Sequence, residues 1–172
     1  MNETLQNILA RKSYSNFAST PISEDDIDLL LQAAMAAPTG MDMRPWKFIV
    51  VTDKTTLQSI SEALTYGKMV KTAAAAIVVC GNAKKSLITG ASYWVYDCSA
   101  ATENILIAAQ SMGIGGRWVS VAPSEKQITN IKALFKLPED IEPLCTIALG
   151  YPEKLLPPKK KFDRKNIHWE KW

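Results

Sequence analysis

One histidine, His168, and three cysteines, Cys80, Cys98 and Cys145, are all that 172 residues offer of the usual transition-metal ligands. The odd cysteine count and the lack of any CxxC spacing exclude a disulfide scaffold, and a four-cysteine zinc site within one chain is impossible. Such usage points to a reducing compartment. All three cysteines fall in apolar runs, where buried structural thiols are expected rather than reactive ones. A single histidine close to the C-terminus leaves no material for a multi-histidine metal site. It is also the only histidine base available, and no GxSxG elbow accompanies it, so a nucleophilic triad is not expected.

Long hydrophobic runs are missing too. The longest apolar-rich stretch, residues 98–116, is broken by Glu103, Asn104 and Gln110, so the roughly 20 apolar residues of a membrane span are not found. Residues 1–10 carry Asn2, Glu3, Gln6 and Asn7 where a secretory signal needs an apolar core. A soluble, cytoplasmic protein with no membrane partner is expected. What is present is ordinary globular composition, 47% hydrophobic and 22% charged, which excludes disordered and collagen-like chains. The length suits one domain spanning residues 1–172.

Charge is unevenly placed. Residues 153–172 hold seven Lys or Arg against Glu153, Asp163 and Glu170, a balance of +4, whereas the whole chain carries +3 and residues 1–152 therefore −1. Such a tail reads as a solvated arm, a nucleic-acid arm, or a lid over a phosphate.

Strand and helix patterns alternate along the chain. Residues 2–10 place Leu5, Ile8 and Leu9 on one helical face. Ser23 is suited to cap a second helix, with acidic residues crowding its first turn and Ile27, Leu30, Leu31 and Ala34 as its apolar stripe. Residues 46–51 read as a strand, and Asp53 caps a helix to about Leu64. The apolar run 75–80 reads as a strand stopped by Gly81-Asn82. Residues 92–112 form the longest helical pattern, apolar nearly all round and so buried on most sides. Gly113, Gly115 and Gly116 are expected to end it; their GIGG spacing lacks a full nucleotide fingerprint, so a helix C-cap is the better reading. A short strand at 118–121, a helix capped by Ser124 running to about Phe135, a strand at 144–149 and an extended arm follow. The pattern implies an α/β or α+β layered fold.

Three polar islands stand at the ends of apolar elements: Arg11-Lys12-Ser13, the loop from Pro38 to Trp46, and Lys159-Lys160-Lys161. Each has a plain structural reading as helix-end cations, turn chemistry or a solvated run. Two separated basic islands in a near-neutral chain also suit an anionic, phosphate-bearing ligand.

The islands carry a family resemblance. Arg11-Lys12-Ser13 resembles the Arg-x-Ser signature of the FMN-dependent nitroreductase-like flavoproteins, and Ala37-Pro38-Thr39-Gly40-Met41-Asp42-Met43-Arg44-Pro45-Trp46 resembles their Ala-Pro-Ser/Thr-x-x-Asn-x-Gln-Pro-Trp loop. Lys68-Met69, Asp97-Cys98-Ser99-Ala100-Ala101, Gly113-Ile114-Gly115 and Pro158-Lys159-Lys160-Lys161 are similar to further family segments in the same order. The resemblance implies an α+β sandwich with a central mixed, mostly antiparallel sheet flanked by helices. It further implies a homodimer whose C-terminal arms, residues 152–172, pack on the partner subunit, with FMN at the interface and NAD(P)H as hydride donor. By motif match, Arg11, Ser13, Lys159 and Lys161 would hold the phosphate and ribityl chain, with Lys12 beside them. Pro38, Thr39, Gly40, Asp42 and Arg44 would reach the flavin from the other subunit. Lys68 would approach the pyrimidine edge, and Trp118, Val119 and Ser120 would lie against the ring. The implied activity is reduction of a nitroaromatic or quinone by a ping-pong route. Reductive dehalogenation, flavin fragmentation and a non-catalytic basic-tailed binding protein are the alternatives. Nucleic acid is not an expected partner of the flavoprotein. Asp42, Arg44 and Ser120 depart from the family's usual Asn, Gln and Gly, which bears on flavin potential and substrate choice.

Overall fold

Alternate side chains of the central apolar run point to opposite sides of a sheet, and both sides are covered. A computed structural model of the chain describes residues 1–85 and 93–172. Its sheet has the order β1-β2-β4-β3, built from β1 (Trp46–Val51), β2 (Ala75–Asn82), β3 (Gly115–Ser120) and β4 (Ile141–Gly150). Every strand pair is antiparallel; the parallel contact among the described residues is an isolated bridge between Ser13 and Gly116, so the expected mixed sheet is antiparallel within this chain.

On one face lie α2 (Glu24–Met35) and α4 (Trp94–Ser111), meeting Ala75, Ile77 and Val79 of β2 with Ile147 and Leu149 of β4. On the other lie α3 (Lys54–Ala63) and α5 (Glu125–Phe135), meeting Ala76, Val78 and Cys80 with Ala148. A strand buried on both faces has no polar alternation to show, which is why β2 reads as a continuous apolar run. The remaining helix, α1 (Glu3–Ala10), buries none of its residues: Leu5, Ile8 and Leu9 are exposed.

Local signals account for most helix starts. Ser23 Oγ accepts from the Asp26 amide at 3.1 Å, and Asp53 Oδ2 accepts from the Thr56 amide at 2.7 Å. The same Asp53 oxygen accepts from the Thr56 hydroxyl, and these bonds hold its carboxyl below the usual carboxylate range. Ser124 occupies the N-cap of α5 but makes no capping bond with its side chain.

Three glycine readings change. Gly81 does not stop β2; it continues the strand opposite Trp46. A Cβ there would lie 2.5 Å from Cε3 of Trp94, so a glycine lets α4 pack against the strand. Gly115 and Gly116 begin β3 rather than ending α4. Gly113 alone, at φ +71°, takes the left-handed conformation past the helix end. The expected start of α4 at Ser92 lies outside the described residues.

No helix among the described residues is long and apolar enough to cross a membrane. After Gly150 the chain runs out as an arm, exposed throughout residues 153–172, with one short 3-10 turn at Arg164–Asn166.

Candidate functional site

Where α1 ends, the arm comes back to meet it. Arg11, Lys159, Lys160 and Lys161 line one groove of about 760 Å³ with Glu103, Pro158 and Phe162. Arg11 Nε lies 3.3 Å from Oε1 of Glu103, which projects from α4. Lys12 is buried and its ammonium donates to the carbonyl of Pro157, at the base of the arm. Burial and repulsion from Lys159 and Lys161 lower its pKa from the ordinary lysine value. Four lysine or arginine side chains thus share one acidic neighbour in the groove. An arrangement of this kind is relieved by an anion with several oxygens, such as a phosphate monoester. Ser13 does not line the groove; it is exposed and bridges Gly116 at the start of β3.

The second island sits at the other end of α4. The Gly40 amide donates to Oδ1 of Asp97 at 3.0 Å, and the Arg44 amide donates to the Thr39 hydroxyl at 3.2 Å. Asp97 is buried in the first turn of α4, and its Oδ2 has no hydrogen-bond partner among the described residues. Met41, Asp42 and Arg44 all adopt positive φ, between 47° and 54°. Non-glycine residues hold that conformation only where their surroundings fix it. Asp42 and Arg44 form a two-pronged pair, Nε to Oδ1 at 2.7 Å and Nη2 to Oδ2 at 2.6 Å. Those bonds hold the Asp42 carboxyl below its usual range and raise the guanidinium's pKa. Asp42 therefore does not present a free negative charge. Pro38 is exposed in the same loop.

The third place is a cavity of about 410 Å³ beside β3, lined by Trp118, Val119 and Ser120 together with Tyr66, Arg117 and Gln127. Lys68 is exposed in the turn after α3 and does not line this cavity. Two contacts link the first place to the third: the bridge from Ser13 to Gly116, and a 2.6 Å bond from Arg117 Nη1 to the Ser15 hydroxyl. The chain thus gathers Arg11, Lys12, Lys159 and Lys161, and keeps the Pro38–Arg44 loop and the β3 cavity apart from that groove.

Residues 8–77 and 61–151 match the model of the Nitroreductase family. The chain belongs to the nitroreductase family. A relative from Archaeoglobus fulgidus, named "Putative NADH dehydrogenase/NAD(P)H nitroreductase", is 42% identical over 175 residues and is matched over 100% of both chains. A crystal structure of the same name from Bacteroides thetaiotaomicron superposes with a TM-score of 0.95 at 44% identity, covering 100% of this chain and 99% of the other. An FMN-dependent nitroreductase from Clostridium difficile gives 0.89 at 26% identity, covering 97% and 99%. The nitroreductase fold, an α+β sheet flanked by helices, is thereby shown.

Asp97, Glu103 and Arg117 are polar contributors that sequence reasoning assigned no role. Asp97 and Glu103 stand out in hindsight as lone carboxylates on an otherwise apolar helix. Arg117 carries a weaker signal, a single cation inside a Gly-Gly-x-Trp strand. All three thiols are buried, and burial pushes Cys80 and Cys145 up to about 12 and Cys98 higher still.

Proposed function

We propose that this protein is an FMN-dependent oxidoreductase that takes hydride from NAD(P)H and passes it to an organic acceptor of the nitroaromatic or quinone class, in a ping-pong cycle. The observation that carries the reading is the groove where Arg11 and the arm lysines converge. Family membership supplies the redox chemistry that such a cation cluster does not.

FMN, when bound, supplies the hydride chemistry, so the chain's own task is binding, orientation and electrostatics. Arg11, Lys159 and Lys161 would hold the phosphate, with Lys12 pinning the arm beside them and Ser13 next to the ribityl chain. Trp118, Val119 and Ser120 would lie along the ring in the β3 cavity. Lys68 would bring positive charge to the pyrimidine edge. Pro38, Thr39, Gly40, Asp42 and Arg44 would close the site from a partner subunit. The loop is stiffened for this by Asp97.

The homodimer rests on exposed apolar surface. Leu5, Ile8 and Leu9 of α1, and Leu155, Phe162, Trp169 and Trp172 of the arm, are all uncovered in one chain. Ile8, Leu9 and Phe162 line one groove, and exposed apolar surface of this extent suits burial against a partner subunit.

The test is an anaerobic titration of the purified protein. The reading expects a yellow dimer whose flavin bleaches on adding NADH or NADPH and recovers its colour on adding a quinone or nitroaromatic. A colourless protein that gains no flavin on incubation with FMN would defeat it.

A further inference from the structure

Arg117 has no part in the roles above. It lies in β3, half-buried, and it lines the 410 Å³ cavity shared with Tyr66, Trp118, Ser120, Ser124 and Gln127. Among the described residues no other charged side chain lines that cavity. Arg11 has Glu103 and Arg44 has Asp42, but Arg117 forms no ion pair among the described residues. Its side-chain hydrogen bond goes to the hydroxyl of Ser15, a residue that does not line the cavity, and Ser15 accepts from Nη1 at 2.6 Å. That bond aims the guanidinium and occupies one of its five donors. The Gln127 carbonyl oxygen is engaged by the Thr65 amide at 2.9 Å. A half-buried guanidinium with a single hydroxyl partner and no carboxylate recovers little of the hydration it loses. Such a group is suited to an anion that arrives with the ligand.

We propose that Arg117 is a second electrostatic partner, beside Lys68, of the negative charge that the flavin ring gains on reduction, and so helps to set the flavin's potential. The proposal rests on the flavin reading above and names a residue which that reading did not use. Hydride from NAD(P)H brings two electrons and one proton, and leaves one added negative charge on the ring while the donor becomes NAD(P)⁺. A fixed cation beside β3 would stabilise that charge, the more so where the bound ring displaces water from the cavity. Ser15 is a positioning residue, acting through its bond to Arg117.

The experiment uses FMN-loaded protein and the variants Arg117→Met, Arg117→Gln and Arg117→Lys. Three quantities are read: the midpoint potential against a reference dye, the dissociation constant of sulfite, and the dissociation constant of FMN. Sulfite adds to oxidised flavin and leaves negative charge on the ring, so it reports the same stabilisation without turnover. Arg117→Met is expected to lower the ratio of reduced to oxidised flavin about tenfold at a fixed potential, about 30 mV for a two-electron couple. Sulfite affinity should weaken by a similar factor, Arg117→Lys should recover most of both, and FMN affinity should change little. If Arg117→Met does not retain flavin, Arg117→Gln decides, since it removes the charge and keeps a donor for Ser15. Unchanged potential and sulfite affinity in the neutral variants would overturn the proposal. Equal shifts in the Lys and neutral variants would overturn it too, by assigning the effect to packing. A parent protein that binds no FMN would instead sink the flavin reading itself, and this inference with it.

Discussion

Gly81 shows how a single missing Cβ decides the contact between a strand and a helix. With glycine there, the Trp94 indole packs against the β2 backbone; an added methyl would sit 2.5 Å from its Cε3 and 3.1 Å from Cys98 Sγ. The obstacle is a buried ring, not the tip of a flexible chain. Gly81→Ala should therefore destabilise the protein by about 1–3 kcal/mol through overpacking. Urea unfolding measures this, and an unchanged midpoint at an unchanged slope would show that α4 yields freely. The nearby thiols lead to a second prediction. Cys80, Cys98 and Cys145 are buried and their pKa values are raised by that burial, Cys80 and Cys145 to about 12. At pH 8 they are protonated, so the native protein should not react with a disulfide reagent, and all three thiols should react once it is unfolded. Rapid labelling of the folded protein would contradict the packing described for β2, β4 and α4.

At the scale of elements, legibility followed locality. Ser23 and Asp53 announce α2 and α3 because a cap is a bond to a residue three positions on, visible in sequence. The run of β2 is legible because burial on both faces leaves one kind of residue. Gly81, Gly115 and Gly116 were misread as stops because the reason for each is a neighbour distant in sequence: Trp94, Tyr14 and Leu106 occupy the space a side chain would need. The stripe of Leu5, Ile8 and Leu9 marked α1 correctly as a helix, yet it stays exposed among the described residues. Motif order placed Arg11 and the arm lysines as candidates. Only the fold puts Glu103 beside Arg11, since the two come from different helices. The arm's own attachment is testable. Lys12 donates to the Pro157 carbonyl, a bond that directs Lys159 and Lys161 toward Arg11. Lys12→Met should speed tryptic cleavage within residues 154–161 several-fold, and an arm cut no faster would show that it is held elsewhere.

Across the whole molecule the charge separation acquires a purpose in the proposed function. Residues 1–152 carry −1 and residues 153–172 carry +4, so the arm brings to the body the positive charge that the body lacks. Arg11 is the body's contribution to the groove, and Glu103 tempers it without cancelling the lysines. Charge-assisted bonds to a phosphate are worth about 1.5–3 kcal/mol each, roughly ten- to hundredfold in affinity. Riboflavin offers the same ring without the phosphate. The most direct measurement is therefore the dissociation constant of FMN and of riboflavin, by fluorescence quenching, for the parent protein and for Arg11→Ala. The parent is predicted to prefer FMN strongly, and Arg11→Ala to lose about ten- to hundredfold in FMN affinity while its riboflavin affinity stays level. Equal FMN constants for the two proteins, or a parent that binds riboflavin as tightly as FMN, would contradict the assignment of this groove to the flavin phosphate.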